Sequence, residues 1–288
     1  MGAGWAGASS QTAGSKEVQM AYETLELTQE GAVARLTLNR PHALNALSRK
    51  MVSELEDFLS RLRDDRKTRV VVIRGAGRAF CAGLDLKEQN AGDSEALGSS
   101  ATGTYEVQRR MSDLVVAIRR VPQPFIAAIK GPACGGGFAL ALASDVRLAG
   151  ESARMNAAFI RIGLTACDMG VSYFLPRAVG TSVASELLLT GRFIDARRAL
   201  ATGLVSEMVP DAELDAAADK LAREMAETSP LGLRLTKECL NVSVDAGSLE
   251  QAIAVEDRNQ TLCVQAGYLD EGARAFVQKR APRFAERA

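Results

Sequence analysis

Three consecutive glycines are the clearest sign of chemistry in this chain. An apolar run ends at Gly131-Pro132, then come Gly135, Gly136 and Gly137, and an Ala/Leu-rich helical pattern begins there. Glycines leave the backbone N–H groups at a helix start uncovered, and the helix dipole at that end favours negative charge. The pattern is typical of one half of an oxyanion hole, in which N–H groups stabilise charge on a reacting carbonyl oxygen.

A second glycine turn lies upstream, at residues 80–86, around Gly83. Two such turns could supply two N–H donors to one oxygen, although a glycine turn alone is weak evidence because close helix–strand packing also requires one. The glycines are contiguous and no Gly-Lys-Ser/Thr follows, which disfavours a dinucleotide site and excludes a P-loop. A Ser-His-Asp hydrolase is disfavoured because the chain has one histidine, His42, and no GxSxG motif.

The elements around these turns alternate between strand and helix patterns up to about residue 150, which predicts an α/β core with a mostly parallel sheet. Ser48 is a candidate cap for a helix with apolar residues at 3.6-residue spacing. After Pro210 the pattern changes to successive amphipathic helices without strands. We predict a disordered tail at 1–20, an α/β core with the site at 21–210, and a helical region for oligomerisation at 211–288. The predicted strands are 33–39, 69–74, 125–129 and 146–149; the predicted C-terminal helices are 211–227, 231–243, 248–265 and 268–279; and residues 88–104 are predicted to be a mobile loop.

Composition excludes several classes of protein. The 288 residues carry 35 basic and 35 acidic side chains, so no global field attracts nucleic acid or a membrane surface. Five scattered cysteines without a CxxC spacing favour reduced thiols over a disulfide framework or a zinc site. No apolar run approaches the ~20 residues of a membrane span, and the N-terminus lacks the pattern of a signal peptide. We therefore expect a cytoplasmic protein without a metal, a nucleic-acid partner or a membrane partner. The arginine pairs at 109–110 and 119–120 are interpreted as a solvated helix face.

Six motifs in order carry a resemblance to a known family. They are Leu-Asn-Arg-Pro-His-Ala-Leu-Asn-Ala-Leu at 38–47, Ala-Phe-Cys-Ala-Gly-Leu-Asp-Leu at 79–86, the segment 128–137 with the glycine triplet, Leu-Thr-Gly at 189–191, Ala-Thr-Gly-Leu-Val at 201–205 and Ala-Phe-Val-Gln-Lys-Arg at 275–280. From about Tyr22 to Phe284 the chain resembles the crotonase superfamily, also called the enoyl-CoA hydratase/isomerase family. The resemblance implies an α/β, ClpP/crotonase-like fold of repeated ββα units with two roughly perpendicular sheets. It also implies a helical C-terminal region that forms homotrimers or hexamers.

The resemblance further implies an acyl-CoA thioester substrate whose enolate is stabilised by two backbone donors, the N–H groups of Leu84 and Gly136. Coenzyme A would arrive as part of the substrate, so no separate cofactor is expected. Phe276 and Lys279 would reach the coenzyme A of a neighbouring subunit; the alternatives are a core aromatic for Phe276 and a solvated charge for Lys279. The substrate-binding positions implied by the resemblance are Ala43, Ala82, Leu84, Asp85, Lys87, Gly136, Phe276 and Lys279.

The chain departs from the family at the two glutamates with which its hydratases hold and deprotonate water. These positions hold Ala139 and Phe159, and neither side chain can move a proton. Asp168 remains, at a loop where the family places an aspartate in dienoyl-CoA isomerases and in 4-chlorobenzoyl-CoA dehalogenases. Its apolar neighbours would raise its pKa toward a range useful for catalysis. The alternative is a loop aspartate that only accepts backbone hydrogen bonds.

Three functions follow from this pattern. The first is an enoyl-CoA hydratase of fatty-acid metabolism, or an enoyl- or dienoyl-CoA isomerase, with Asp168 as the lone acid/base. The second is a non-catalytic acyl-CoA-binding protein, favoured by Ala139 and Phe159. The third is a scaffold that uses only its oligomer surface, which the intact glycine turns disfavour. Dehalogenation is disfavoured because His42 lies far from where the dehalogenases carry their histidine.

Overall fold

The computed structural model describes residues 22–89 and 100–284. The predicted tail at 1–20 lies outside these residues, as does most of the predicted loop 88–104. The last described strand ends at Val209, and the described residues after it form only helices and their connections. The division into a core and an oligomerisation region stays a prediction.

Strands and helices alternate through the first part of the described chain, as the sequence predicts. The strands are β1 Leu25–Glu30, β2 Val33–Leu38, β3 Val70–Gly75, β4 Phe125–Ile129, β5 Pro132–Cys134, β6 Val146–Gly150, β7 Arg154–Asn156, β8 Ile194–Asp195 and β9 Glu207–Val209. The helices are α1 Arg49–Asp64, α2 Leu86–Gln89, α3 Ala101–Arg120, α4 Gly136–Ala143, α5 Val171–Val179, α6 Thr181–Thr190, α7 Ala196–Ala201, α8 Leu214–Ala226, α9 Pro230–Ser243, α10 Leu249–Gln265 and α11 Tyr268–Val277. Short 3₁₀ segments occupy Pro41–Ala43 and Ala158–Ile162.

The main sheet has six strands in the order β1-β2-β3-β4-β6-β9. Only β1 and β2 pair in antiparallel fashion, and every other neighbour in this sheet is parallel. A smaller sheet has the order β5-β7-β8. The predicted parallel α/β core is therefore confirmed.

The central strands are buried on both faces, which explains their continuous apolar sequences. Val71 and Ile73 face the larger core cluster, which contains the apolar stripe of α1, whereas Val70 and Val72 pack with residues of α8 on the other face. The predicted cap of α1 is confirmed, since the Ser48 hydroxyl accepts a hydrogen bond from the N–H of Met51 at 3.1 Å. This packing holds the ends of β3 and β4, and the turns that follow them, in fixed positions.

The predicted loop 88–104 is wrong at both of its described ends. Residues 86–89 form α2, and α3 begins at Ala101. The polar composition of this stretch hid a helix start: the side chain of Ser100 accepts a hydrogen bond from the N–H of Gly103 at 3.1 Å and caps α3.

Candidate active site

The two glycine turns of the sequence lie side by side. β3 and β4 are parallel neighbours, so the segments that follow them emerge at one edge of the sheet. Cys81 pairs with Ala133 in a parallel bridge, and the N–H of Cys134 donates to the carbonyl oxygen of Cys81 at 2.9 Å. The sheet topology thus brings together two turns that are 50 residues apart in sequence, as the oxyanion-hole prediction requires.

The turns approach so closely that glycine is needed at two positions. A Cβ on Gly83, which has φ +93°, would lie 2.7 Å from the carbonyl oxygen of Cys134 and 3.5 Å from the nitrogen of Gly136. A Cβ on Gly137 would lie 2.2 Å from the carbonyl oxygen of Cys81. These glycines therefore serve close backbone packing, and that packing sets the distance between the two turns.

The backbone at Leu84 forms a parallel bridge with Leu47. The N–H of Leu47 donates to the Gly83 carbonyl at 2.7 Å, and the N–H of Asp85 donates to the Leu47 carbonyl at 3.2 Å. Backbone N–H groups alternate in direction along an extended segment, so the Leu84 N–H points away from Leu47. It donates to no acceptor within the described residues.

Gly136 is the first residue of α4, where a helix leaves its N–H groups without intrahelical acceptors. Its N–H has no partner in the described part of the chain, and the dipole of α4 favours negative charge there. The N–H groups of Leu84 and Gly136 are thus both without an acceptor in the described chain, and their binding to one shared oxygen stays a prediction. This arrangement can stabilise an enolate or another oxyanion.

Apolar side chains surround the second turn. A Cβ on Gly136 would lie 2.9 Å from Cδ1 of Leu47 and 3.3 Å from Sδ of Met169, and a Cβ on Gly135 would lie 3.5 Å from the Phe159 ring. Ala139 is fully buried inside α4. The two positions where the resemblance implies glutamates therefore supply packing and no group that transfers a proton.

Asp168 lies next to Met169 and thus one residue from a side chain that packs on Gly136. Its Oδ1 accepts two hydrogen bonds, one from the Met169 N–H at 2.7 Å and one from Nε2 of Gln108 on α3. Burial raises the pKa of Asp168, and the hydrogen bonds from Met169 and Gln108 offset only part of that rise. Its Oδ2 has no hydrogen-bond partner among the described residues, so this oxygen is open to accept a proton.

A cavity of about 740 Å³ opens beside the first turn. Five of the predicted substrate-binding residues line it: Ala43, Ala82, Leu84, Asp85 and Lys87. The side chains of Arg78 and Lys87, exposed at its rim, make no ion pair within the described residues. Five of the eight sequence-predicted positions therefore converge on one space with basic groups at its edge.

Asp85 has a structural role in that cavity. Its carboxylate pairs with Nη1 of Arg40 at 2.8 Å and accepts the backbone N–H groups of Lys87 and Glu88 at 3.2 and 3.3 Å. Burial alone raises the pKa of Asp85, but the hydrogen bond from Arg40, the two N–H groups and the guanidinium charge together hold it below its usual value. Asp85 is therefore a carboxylate that fixes the start of α2.

Phe276 and Lys279 lie at the end of α11, away from both turns. Phe276 is 86% exposed, so the core-aromatic alternative is wrong, and Lys279 is exposed with φ +51°. Neither residue lines the cavity beside the first turn. Within this chain the structure does not bring them to the site, and their predicted contact with a neighbouring subunit stays a prediction.

Sequence reasoning missed the side chains that hold the predicted residues in place. Gln108 lies outside the apolar stripe of α3, and Arg40 pairs with an aspartate 45 residues away in sequence. Neither contact leaves a local signal. Met169 carries a weak one, the glycine that follows it at 170. In the structure Met169 has φ +46°, a conformation that is uncommon for residues other than glycine.

Other expectations concern groups outside the site. All five cysteines are free, as predicted. In residues 22–89 and 100–284, no group of three or more His, Cys, Asp or Glu side chains is arranged to hold a metal ion. No helix in those same stretches is long and apolar enough to cross a membrane.

Comparisons with known proteins agree with this geometry. A protein of Mycobacterium tuberculosis named probable enoyl-CoA hydratase EchA12 is 40% identical over 257 residues, 88% of this chain and 90% of that one. The 1,2-epoxyphenylacetyl-CoA isomerase of Escherichia coli is 36% identical over 258 residues, 88% of this chain and 95% of that one. The crystal structure of an enoyl-CoA hydratase from Bacillus anthracis matches with a TM-score of 0.85 at 32% identity, covering 91% of this chain and 99% of the other.

The match to the family as a whole is equally broad. The family model described as enoyl-CoA hydratase/isomerase matches residues 28–287. The solved relatives share the crotonase fold. This chain has the paired glycine turns, a mixed α/β sheet and a helical C-terminal region. This chain belongs to the enoyl-CoA hydratase/isomerase family.

Proposed function

We propose that this enzyme moves a proton between carbon atoms of an enoyl-CoA thioester, with Asp168 as its acid/base. The observation that carries the proposal is the carboxylate of Asp168, which has an oxygen without a hydrogen-bond partner in the described chain, whereas Asp85 is held by Arg40 and by the start of α2. Ala139 and Phe159 occupy the positions implied for glutamates, whereas Asp168 adjoins the residue that packs on Gly136. One base is sufficient for isomerisation, since the proton taken from one carbon returns to another.

Isomerisation neither consumes nor releases water. The carboxylate of Asp168 takes a proton from a carbon next to the conjugated system, and the electron pair moves to the thioester oxygen to form an enolate. The N–H groups of Leu84 and Gly136 stabilise that oxygen, and each such donor contributes ~10²–10³ in rate. The protonated Asp168 then returns the proton to a different carbon, which shifts the double bond and regenerates the carboxylate.

The environment of Asp168 suits this role. Its Oδ1 is fixed by Met169 and Gln108, which leaves Oδ2 as the oxygen that exchanges the proton. Because burial raises its pKa, the carboxylate is a stronger base than an exposed aspartate and returns the proton less readily to water. Both properties favour transfer between two carbons of one substrate.

Hydration of a 2-enoyl-CoA is the second candidate. The relatives named enoyl-CoA hydratases favour it. In this reaction Asp168 would deprotonate the attacking water and then protonate the α-carbon, so one carboxyl group would serve both steps. Hydration thus requires one carboxyl group to act on both water and the substrate, whereas isomerisation requires it to act on the substrate alone. Hydration is therefore the second candidate.

We also propose where coenzyme A lies. The cavity lined by Ala43, Ala82 and Asp85 ends at the Leu84 donor, and the cations of Arg78 and Lys87 suit the phosphates of coenzyme A. Phe276 and Lys279 would complete this site from a neighbouring subunit.

Self-association is supported by apolar side chains exposed on the C-terminal helices. Leu240, Leu249, Phe276 and Val277 are 61%, 71%, 86% and 80% exposed. Exposed apolar side chains mark an interaction site where they form one contiguous patch. We expect a homotrimer or a hexamer, and light scattering that gives the mass of a monomer would contradict this expectation.

The test is turnover of 2-enoyl-, 3-enoyl- and 2,5-dienoyl-CoA thioesters by the wild type, Asp168→Asn and Asp113→Asn. Mass spectrometry separates the reactions, because hydration adds the mass of water and isomerisation leaves the mass unchanged. Asp168→Asn should lose at least about 10²-fold in kcat/KM. Asp113→Asn removes an exposed carboxylate of α3 and should retain activity.

Two outcomes would overturn the proposal. Full activity of Asp168→Asn would remove Asp168 from the mechanism. Tight binding of coenzyme A by calorimetry, with no turnover of any thioester in the panel, would identify the protein as a non-catalytic acyl-CoA binder.

A further inference from the structure

A second cavity, of about 600 Å³, lies beyond Met169 between α3, α5 and α9. One face of α3 forms a wall of it, through residues spaced three and four apart. Its lining combines apolar side chains with four arginines. The residues used below are Val115, Val116, Leu142, Met169, Phe174, Arg119, Arg120, Arg147 and Arg177.

The near end of this cavity adjoins the proposed reaction site. Met169 lines the cavity, and its Sδ lies 3.3 Å from the place of a Cβ on Gly136. Val115 lines it as well and lies 3.5 Å from the place of a Cβ on Gly170. Met169 therefore separates the oxyanion donors from the second cavity, and an acyl chain that passes this side chain would enter it.

The far end lies at the C-terminus of α4. The guanidinium of Arg119 donates to the Ala143 carbonyl at 3.2 Å and to Asp145 at 2.8 Å. From Gly136 to Ser144 the helix rises about 12 Å at 1.5 Å per residue. The cavity thus extends roughly 12 Å from the proposed reacting carbonyl to a group of cations.

Positive charge exceeds negative charge at that end. Four arginines line the cavity, while Asp145 and Asp245 are the carboxylates paired with them, and Asp145 is shared with Lys237. The guanidinium of Arg120 makes no ion pair or hydrogen bond within the described residues. The interpretation of 119–120 as a solvated face is wrong for Arg119, which is held by Asp145 and Asn241.

Arg147 shows that the negative charge of Asp145 compensates this excess only in part. Its guanidinium donates to the carbonyls of Leu204 and Ser144, both at 2.7 Å, and forms no salt bridge with a carboxylate of the described chain. Burial lowers the pKa of Arg147, and the neighbouring charge of Arg119 lowers it further. An anion in the cavity would offset the repulsion between these two guanidinium groups.

Between the two ends the wall is apolar, with Val115, Val116, Leu142 and Phe174. We propose that the preferred substrate is an acyl-CoA whose chain ends in a carboxylate, with the chain against this wall and the carboxylate at Arg119 and Arg120. Guanidinium groups bind carboxylates through paired hydrogen bonds. A chain that ends in a carboxylate therefore suits an apolar wall with a cationic end better than an uncharged chain does. The inference rests on the proposed function, because it requires the thioester at Leu84 and Gly136.

The experiment compares two enoyl-CoA series of matched chain length, one ending in a carboxylate and the other in a primary amide. The wild type should prefer the carboxylate by at least about tenfold in kcat/KM once the chain spans about 12 Å, and should show no preference for short chains. Arg120→Gln should abolish most of that preference. Arg63→Gln, which removes an exposed arginine of α1 outside the cavity, should leave the preference unchanged.

Calorimetric Kd values for both series separate this proposal from the preceding one. Turnover of both series with equal kcat/KM and equal Kd would overturn the carboxylate proposal and leave the proposed reaction standing. A second outcome is that neither series is turned over, that the long carboxylate binds about tenfold more tightly than the amide, and that Arg120→Gln abolishes this difference in Kd. This outcome would overturn the proposed reaction and support the carboxylate site. A preference that persists in Arg120→Gln, or that does not depend on chain length, would overturn the placement of the carboxylate.

Discussion

Gly137→Ala should separate the two turns that form the proposed oxyanion hole. The added Cβ would lie 2.2 Å from the Cys81 carbonyl oxygen and 2.6 Å from the Cys81 Cβ. Ordinary contact begins at 3.4 Å, so the turns must move apart by about 1 Å. A misplacement of about 1 Å costs on the order of 10²-fold in rate. Overpacking of this kind costs about 1–3 kcal/mol, and the better helix propensity of alanine returns up to about 1 kcal/mol.

Gly136→Ala is the matched control for stability. Its Cβ would meet the flexible ends of Leu47 and Met169, at 2.9 and 3.3 Å, instead of backbone. These ends can move, so the free energy of unfolding in urea should stay within about 1 kcal/mol of wild type. Gly137→Ala should unfold at lower urea and should lose about 10²-fold in kcat/KM on the substrate that the panel identifies. Wild-type stability and activity of Gly137→Ala would refute the close approach of the two turns.

Two further predictions concern buried charge and the acidity of the proposed catalytic group. The ammonium of buried Lys237 donates to the carbonyls of Ile118 and Gln123 at 2.9 and 2.8 Å, and Lys237→Met leaves both acceptors unpaired, so it should lower the unfolding free energy in urea by about 1–3 kcal/mol. Burial lowers the pKa of Lys237 from 10.5 to about 8, so between these pH values the unfolded chain binds more protons than the folded chain. The unfolding free energy of the wild type should therefore rise with pH over this range relative to that of Lys237→Met. Parallel curves of unfolding free energy against pH would contradict this expectation. Gln108→Ala removes a hydrogen bond that lowers the pKa of Asp168, so the acid limb of the pH profile of kcat/KM should move to higher pH. An acid limb at the wild-type pH would show that Gln108 does not hold this carboxylate.

The fold could be predicted where local rules and tertiary packing agree. The C-terminal helices 230–243 and 249–265 lie within one residue of their predicted bounds, because their amphipathic spacing and their caps Ser229 and Ser248 point to the same ends. The start of α3 was missed for the opposite reason. Its first turn is polar and has no apolar period, and it is held by a cap and by its continuation into the buried residues from Leu114 onward.

The site was predictable to the extent that its chemistry resides in the backbone. A glycine triplet at a helix start can be identified from one sequence, and the parallel order of β3 and β4 then places the second turn beside it. Side chains that approach from other elements leave no such trace. Gln108 reaches Asp168 across 60 residues, and Lys237 reaches the carbonyl of Ile118 across 119.

The two ends of the proposed acyl site differ in the same way, since one end is formed by backbone groups and the other by side chains. The reacting end is set by backbone groups and by glycines that tolerate no Cβ, so few substitutions are compatible with it. The far end is assembled from side chains: Lys237 of α9 binds Asp145, which binds Arg119 of α3. Substitutions there can change which chain end is accepted without moving the oxyanion donors. In the proposed site, the C-terminal helical region would therefore contribute to the choice of substrate through α9, in addition to any contact that it makes with another subunit.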